Sequence, residues 1–299
     1  MRILITNDDG VYADGIQVLA ARLRALGEVF VVAPDRPRSA MGHAITLHKP
    51  LRLHRVHLRD GTVAYATNGT PTDCVTLGAH AVMEHRVDLV VSGINAGPNL
   101  GWDLTYSGTV AAAIEGAVHG INAFAVSLAA EEVLPLARET MEGEAPAEPR
   151  VEGEALAEPR VEGEAPAEPR KSEPLAPPRL HYETAAEAAY RIAQVLMRHP
   201  LPAHTFLNVN VPNLPLSEIE GFQVTTLGKR QYADRIEQRI DPAGRPYYWL
   251  SGSLIEERDQ PGTDVYAVAR GYIAITPIHL DFTAHELIAP LREWFSGEW

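Results

Sequence analysis

Apolar residues in the first half of the chain fall into short continuous runs, separated by stretches with helical spacing. Ile3, Leu4 and Ile5 form the first run, Val29 to Ala33 the second, Asp88 to Val91 the third and Ala123 to Leu128 the fourth. Between them, Gly15 to Leu26 places Ile16, Leu19, Ala20, Leu23 and Leu26 on one helical face, and Gly27 stops it. Thr72 to Glu84 and the small-residue stretch Thr109 to Val118 predict two more helices. Strands that are apolar throughout, rather than alternating, are those covered on both faces. Strand alternating with helix predicts an α/β fold: a Rossmann-like three-layer sandwich around a mainly parallel sheet.

The pattern changes in three places. Leu51, Leu53, Val56, Val63 and Tyr65 flank Asp60-Gly61 and predict an antiparallel excursion beside the main sheet. From Glu142 to Lys171 the chain repeats ten residues three times, as EGEAPAEPRV, EGEALAEPRV and EGEAPAEPRK. Units this short and poor in apolar residues cannot stack as a solenoid, so residues 142–178 read as an exposed, disordered surface insertion. After it, Thr184 to Arg198 predicts a helix, and Thr205 to Val211 and Tyr272 to Thr276 predict strands. Phe222 to Leu227 and Arg245 to Leu250, with the turn Asp241 to Gly244 between them, predict an aromatic hairpin arm suited to a subunit interface. A last helix is expected over Ala284 to Phe295. The organisation is a core over residues 1–128, the insertion over 142–178, and a carboxyl-terminal part over 182–299 carrying the arm.

Composition adds limits. With 299 residues, 45% of them hydrophobic, the chain can bury one large core. No apolar stretch approaches the roughly 20 residues that span a bilayer. The amino terminus turns acidic too soon for a secretory signal. The single cysteine, Cys74, forms no intrachain disulfide and suits a reducing cytoplasm. It reads better as a small buried thiol than as a nucleophile. The formal charge of -13 comes with no basic stripe, which argues against duplex nucleic acid as a partner.

Candidate chemistry gathers on three loops at strand ends, where parallel α/β sheets bind ligands. The first holds Asn7, Asp8 and Asp9, the second Arg36, Arg38, Ser39, Gly42 and His43, and the third runs from Ser92 to Asn99 through Asn95. Two adjacent carboxylates are costly unless a cation meets them. With a hydroxyl and an amide oxygen they make a donor set for a hard divalent ion. The same residues also suit humbler tasks: Asp8 or Asp9 capping the next helix, Asn95 and Asn99 satisfying turns. Ser107, Gly108 and Thr109 open a helix, where free N–H groups attract phosphate, although a plain cap is the alternative. Asn68 to Asp73 reads as a turn and cap rather than a ligand site. No phosphate loop ending in Gly-Lys-Ser/Thr and no dinucleotide Gly-x-Gly-x-x-Gly is present. A metal beside a phosphate cradle suggests hydrolysis of a phosphate ester, with Asp8 orienting or deprotonating water.

Four motifs in order carry a resemblance: Ile3 to Gly10 (ILITNDDG), Ala33 to Ala40 (APDRPRSA), Asn68 to Val75 (NGTPTDCV), and Ser92 to Gly101 (SGINAGPNLG) followed by Tyr106 to Ala113 (YSGTVAAA). Together they resemble the SurE (stationary-phase survival) family of nucleotidases. The match covers residues 1 to about 128 and resumes more loosely from about 182. The resemblance implies a cytoplasmic, dimeric or tetrameric 5'-nucleotidase acting on nucleoside monophosphates, with possible activity on 3'-nucleotides and short polyphosphate. It implies one divalent ion per subunit, Mg²⁺ or Mn²⁺, on Asp8, Asp9, Ser39 and Asn95. Ser107, Gly108 and Thr109, with Asn95 beside them, would then hold the phosphate, and Asp8 and Asp9 would be catalytic. It also implies that the hairpin arm and a helix are exchanged between subunits; the decapeptide repeat departs from the family pattern. A nucleotide sensor that binds without turnover is the competing expectation.

Overall fold

The computed structural model describes residues 1–130, 179–242, 244–256 and 260–296. The insertion expected over 142–178 lies outside them. A nine-stranded sheet is built from β1 (Arg2–Thr6), β2 (Glu28–Pro34), β3 (Leu53–His57), β4 (Val63–Thr67), β5 (Leu89–Ala96), β6 (Asn122–Ala129), β7 (Thr205–Pro212), β8 (Gly221–Val224) and β11 (Tyr272–His279), in the order β3-β4-β2-β1-β5-β6-β7-β11-β8. The run from β4 to β7 is parallel. The antiparallel pairs are β3 with β4 and β7 with β11. The 51–66 excursion is therefore not beside the sheet but its edge, because β4 pairs with β2 at Val32 to Pro34.

Helices cover both faces. On β1, Ile3 and Ile5 point into one apolar cluster and Leu4 into the other, the alternation of a strand buried on both sides. The first cluster takes α1 (Asp14–Leu23) and α4 (Tyr182–Arg198). Ala185, Ala186, Ala188, Ala189 and Ala193 give α4 a flat buried face, and Arg22 of α1 pairs with Glu187 at 2.9 Å while lying 3.4 Å over the Tyr190 ring. The second cluster takes α2 (Pro71–Leu77) and α3 (Gly108–Val118), whose Ala111, Ala112 and Ala113 are buried. Phe124 and Phe206 are among the largest fully buried side chains, each worth about 2–3 kcal/mol of transfer energy.

Two expectations need correction. The helix expected over Thr72 to Glu84 ends as α-helix at Leu77 and continues as a wider π turn, Gly78–Val82. The arm is real, but its strands are β9 (Arg230–Ile240) and β10 (Pro246–Glu256), paired antiparallel over their whole length. Phe222 lies instead in β8, beside β11 in the main sheet. The segment Arg230 to Ile240 has no apolar alternation in its sequence, so the residue pattern predicts no strand there. Ile236, Ile240, Tyr247, Tyr248 and Trp249 are exposed on it. A short helix α5 (Asp264–Ala269) precedes β11, and α6 (Ile288–Trp294) follows it. Among the described residues no helix is long and apolar enough to cross a membrane.

Candidate functional site

From β1 the chain moves to β2 on one side, then to β5 on the other. The carboxyl ends of β1 and β5 therefore flank the point where strand order reverses, the crevice where open α/β sheets bind ligands. Asp8 and Asp9 follow β1 there and Asn95 lies next to last in β5, with Thr6 and Ser92 in register two and three residues before Asp8 and Asn95.

The tight exit from β1 is set by Asn7. Its amide donates to the Gly10 carbonyl at 3.0 Å and its Oδ1 accepts the Gly10 N–H at 3.1 Å. Neither carboxylate caps α1, since the N-cap is Ala13 and no side chain caps there. Three contacts stitch the neighbouring loops to this pair. The Asp8 carbonyl accepts the Arg38 N–H at 2.7 Å, which brings in the loop of Ser39. Asp9 Oδ2 accepts the Ala96 N–H at 3.3 Å, which brings in the loop of Asn95. The Thr109 hydroxyl donates to Asp8 Oδ1.

Asp8 is buried and Asp9 half-buried, and among the described residues neither forms an ion pair with a Lys, Arg or His. Burial is the main reason the Asp8 carboxyl is pushed up to about 6; the Asp9 charge adds to it, while hydrogen bonds from Thr109 oppose it. Burial also raises Asp9, against the Ala96 N–H. Among the described residues no three His, Cys, Asp or Glu side chains come together as a metal nest. A cation at Asp8 and Asp9 thus needs neutral oxygens to complete its shell. Ser39, exposed on its loop, and Asn95, half-buried with its amide donating to the Gly97 carbonyl at 2.9 Å, are of that chemistry. Two desolvated carboxylates without a basic partner, edged by neutral oxygens, fit a hard divalent ion.

The amino terminus of α3 closes the other side. Ser107 is its N-cap, accepting the Val110 N–H at 3.1 Å. Gly108 is pressed against the carboxylate: a Cβ there would lie 2.9 Å from Asp8 Cβ and 3.2 Å from Pro71 Cγ. Only glycine permits that approach. Thr109 is fully buried, and its hydroxyl is committed to Asp8. The helix start that suggested a phosphate cradle is therefore also the seat of Asp8.

Other sequence candidates have structural partners. Thr70 and Asp73 form a capping box at α2, and Asp73 also holds the Thr46 N–H at 3.0 Å, so the Asn68 to Asp73 segment is a turn and cap. His43 lies 2.9 Å from Glu115 of α3, and this contact is the chief reason the Glu115 carboxyl sits below its usual range. Cys74 is buried, which drives its thiol far above the usual range and leaves it inert.

The loop residues Arg38 and Asn99 gain partners from elsewhere in the chain, and two groups without a reading in the residue pattern, Tyr182 and Asp264, lie close by. Arg38 reaches the Asn68 carbonyl at 2.8 Å and so ties the Ser39 loop to the turn before α2. Tyr182, first in α4, has its phenol raised to about 12, chiefly by burial and then by Asp9 and Asp14. Asn99 is anchored on β6 and β7 through Ser127, Asn208 and Asn210. Asp264 accepts three backbone N–H groups beside the same loop. Nothing in the residue pattern singled out Tyr182 or Asp264, because the contacts that matter come from distant parts of the chain.

A family model described as Survival protein SurE matches residues 3–159 and 164–234. The chain belongs to the SurE family. Its SurE relatives include the 5'-nucleotidase SurE of Pelobacter propionicus, 44% identical, covering 98% of this chain and 99% of that one. The 5'-nucleotidase SurE of Geobacter metallireducens is 43% identical, with 100% and 99% covered. Among solved structures, the SurE protein from Aquifex aeolicus superposes with a TM-score of 0.74 at 34% identity, covering 98% of this chain and 99% of that one. The α/β fold with its mainly parallel sheet is thus the SurE fold.

Proposed function

We propose that this chain is a metal-dependent 5'-nucleotidase that hydrolyses nucleoside 5'-monophosphates to nucleoside and phosphate. The observation that carries it is the adjacent pair Asp8, buried, and Asp9, half-buried, at the switch point beside the amino terminus of α3, with no Lys, Arg or His paired to either among the described residues. Its relatives matched over nearly their whole length, the 5'-nucleotidases SurE of Pelobacter propionicus and Geobacter metallireducens, support the activity.

Asp8, Asp9, Ser39 and Asn95 hold one Mg²⁺ or Mn²⁺. When bound, such an ion polarises a phosphoryl oxygen and acidifies water. The protein does the rest. Gly108 and the N–H groups of the first α3 turn, with Ser107 and Asn95 at the rim, receive the phosphate where the helix dipole favours negative charge. Thr109 fixes the Asp8 carboxylate towards that point. Asp8 orients the attacking water and takes its proton. A pure anion binder would gain little from two carboxylates beside the phosphate, which favours turnover over sensing.

The finer features belong to the same proposal. The β9–β10 arm, with exposed Tyr247, Tyr248 and Trp249, forms a dimer or tetramer interface. The enzyme works in the cytoplasm and also accepts 3'-nucleotides and short polyphosphate.

The test is phosphate release from a panel of nucleoside monophosphates, a 3'-nucleotide and short polyphosphate, with Mg²⁺ and Mn²⁺ in turn. Metal-dependent release that disappears in Asp8→Ala is expected. Undiminished turnover by metal-stripped enzyme would overturn the mechanism, and nucleotide binding without release would favour the sensor.

A further inference from the structure

Asp264, at the start of α5, is buried and lies outside the proposed metal and phosphate machinery. Its Oδ2 accepts the Gly101 N–H at 2.9 Å; its Oδ1 accepts the N–H of Gly228 at 2.7 Å and of Val265 at 2.9 Å. Three separate pieces of chain meet at this carboxylate. One is the loop of residues 97–106, which runs from the Asn95 strand end to Ser107. The second is the segment of residues 226–230 that feeds β9 of the arm. The third is α5 itself.

The surrounding contacts reinforce the junction. Arg230, the first residue of β9, pairs with Asp103 of the loop at 3.0 Å, both largely buried. The backbones almost touch: Gly101 has φ +53, and a Cβ on it would lie 2.6 Å from the Gly228 carbonyl oxygen. Upstream in the loop, the Asn99 N–H donates to Asn210 Oδ1 at 2.8 Å, and its carbonyl accepts the amides of Asn208 and Asn210. Most of the loop's anchors thus come from the carboxyl-terminal half of the chain, while the Asn99 amide also donates to Ser127 Oγ at 2.7 Å and the Tyr106 carbonyl accepts the Gly42 N–H at 3.1 Å. The Asp8 and Asp9 end is held differently, by β1, Arg38 and Ala96.

The chemistry explains why this position is a carboxylate. A buried charge is expensive unless fully hydrogen-bonded. A carboxylate accepts several N–H groups and donates none, whereas an amide would turn its own N–H₂ towards a backbone donor.

We propose that Asp264 is a positioning residue that fixes the 97–106 loop, and with it the Ser107 cap of α3, to the root of the β9–β10 arm. The proposal rests on the nucleotidase reading, because it predicts that nucleotide binding and metal binding separate. Loosening the clamp blurs the loop and the Ser107 rim of the phosphate end, while Gly108 and Thr109 stay packed on Asp8 and the carboxylate pair keeps its place.

The experiment compares the full-length wild type with Asp264→Asn. KM for AMP with Mn²⁺ is expected to rise at least fivefold, while the Mn²⁺ dissociation constant from calorimetry stays within twofold. Hydrogen exchange is expected to quicken together at residues 97–106 and 226–230 and to stay unchanged in β1. Asp103→Asn, which weakens the Arg230 pair, should shift KM and exchange in the same direction by a smaller factor, and it carries the test should Asp264→Asn fail to fold. Unchanged KM and loop exchange in a folded variant would overturn the proposal. So would a loss of Mn²⁺ affinity in step with KM, which would mark a general loosening. Should the wild type release no phosphate, the nucleotidase reading fails by itself, and the paired change in exchange still decides the clamp.

Discussion

Gly108 stands against Asp8 so closely that a Cβ on it would lie 3.0 Å from the carboxylate Oδ2. The first turn of α3 and the end of β1 are therefore one packed unit, and the geometry of each depends on the other. Gly108→Ala is expected to push Asp8 or the helix start aside. Overpacking of this kind costs about 1–3 kcal/mol, and each 1.4 kcal/mol lost from transition-state stabilisation is about tenfold in rate. A fall of about tenfold or more in kcat/KM is the expected outcome, with a circular dichroism spectrum like that of the wild type. Steady-state phosphate release measures it, and an Ala variant of full activity would show that the contact is slack.

Thr109 acts on the same carboxylate from within the protein. Thr109→Val keeps the shape and removes the donor, so a buried carboxylate loses a hydrogen bond. Partners that orient a ligand from behind are typically worth 10–100-fold in metal affinity. Calorimetric Mn²⁺ affinity should fall by about tenfold in Thr109→Val and be largely retained in Thr109→Ser. Equal affinities for all three proteins would leave the hydroxyl without a role in the metal site.

The raised Asp8 carboxyl sets the direction of a pH effect. The unfolded chain releases this proton near 3.8, and the folded, metal-free chain near 6. Between those values the folded protein holds a proton that the unfolded chain has lost. The group's contribution is thus fully present below about 4 and is lost as pH rises through about 6. Above that, the ionised carboxylate burdens the metal-free fold. Asp8→Asn should therefore stabilise metal-free protein at pH 8 by about 1–2 kcal/mol, read from urea unfolding, and the gain should vanish at pH 4. Protons and metal compete for the wild-type site, so Mn²⁺ affinity should drop by about tenfold from pH 8 to pH 5. A pH-independent affinity would contradict the buried carboxylate as a ligand.

The exposed aromatic arm carries a further expectation. Tyr248 and Trp249 lie on a two-stranded ribbon that pairs with no other strand among the described residues. A ribbon of this kind is marginal without a partner. Tyr248→Glu with Trp249→Glu should shift the protein to a smaller species in light scattering. An oligomeric mass unchanged by the double substitution would move the interface elsewhere.

Much of this architecture is legible in the residues. The apolar runs around Ile3 to Ile5, Val29 to Ala33 and Ala123 to Leu128 match β1, β2 and β6 because a strand covered on both faces has a local signature. The Asp8-Asp9 pair, Ser39, Asn95 and the Ser107 to Thr109 helix start stood out for a related reason: polar residues directly after buried strands or at the start of a helix are conspicuous. The strand Arg230 to Ile240 is not legible in the residues because its sequence carries no apolar alternation. The edge pairing of β4 with β2 was equally hidden, since hydrogen bonds between strands do not depend on which side chains flank them.

The sequence by itself determined the alternation of strand and helix, the family and the cast of oxygen-bearing residues. Tertiary structure decided how that cast is arranged. It set β5 beside β1 at the switch point, turned the Thr109 hydroxyl onto Asp8 across 101 residues, and clamped Gly101 to Asp264 across 163. Local periodicity is written in neighbouring residues, because helices and strands bury one face at a fixed spacing. A buried carboxylate is different. It is satisfied by whichever hydroxyl or backbone N–H the fold brings to it, and a backbone N–H belongs to almost every residue, so nothing in the order of the side chains announces the partner.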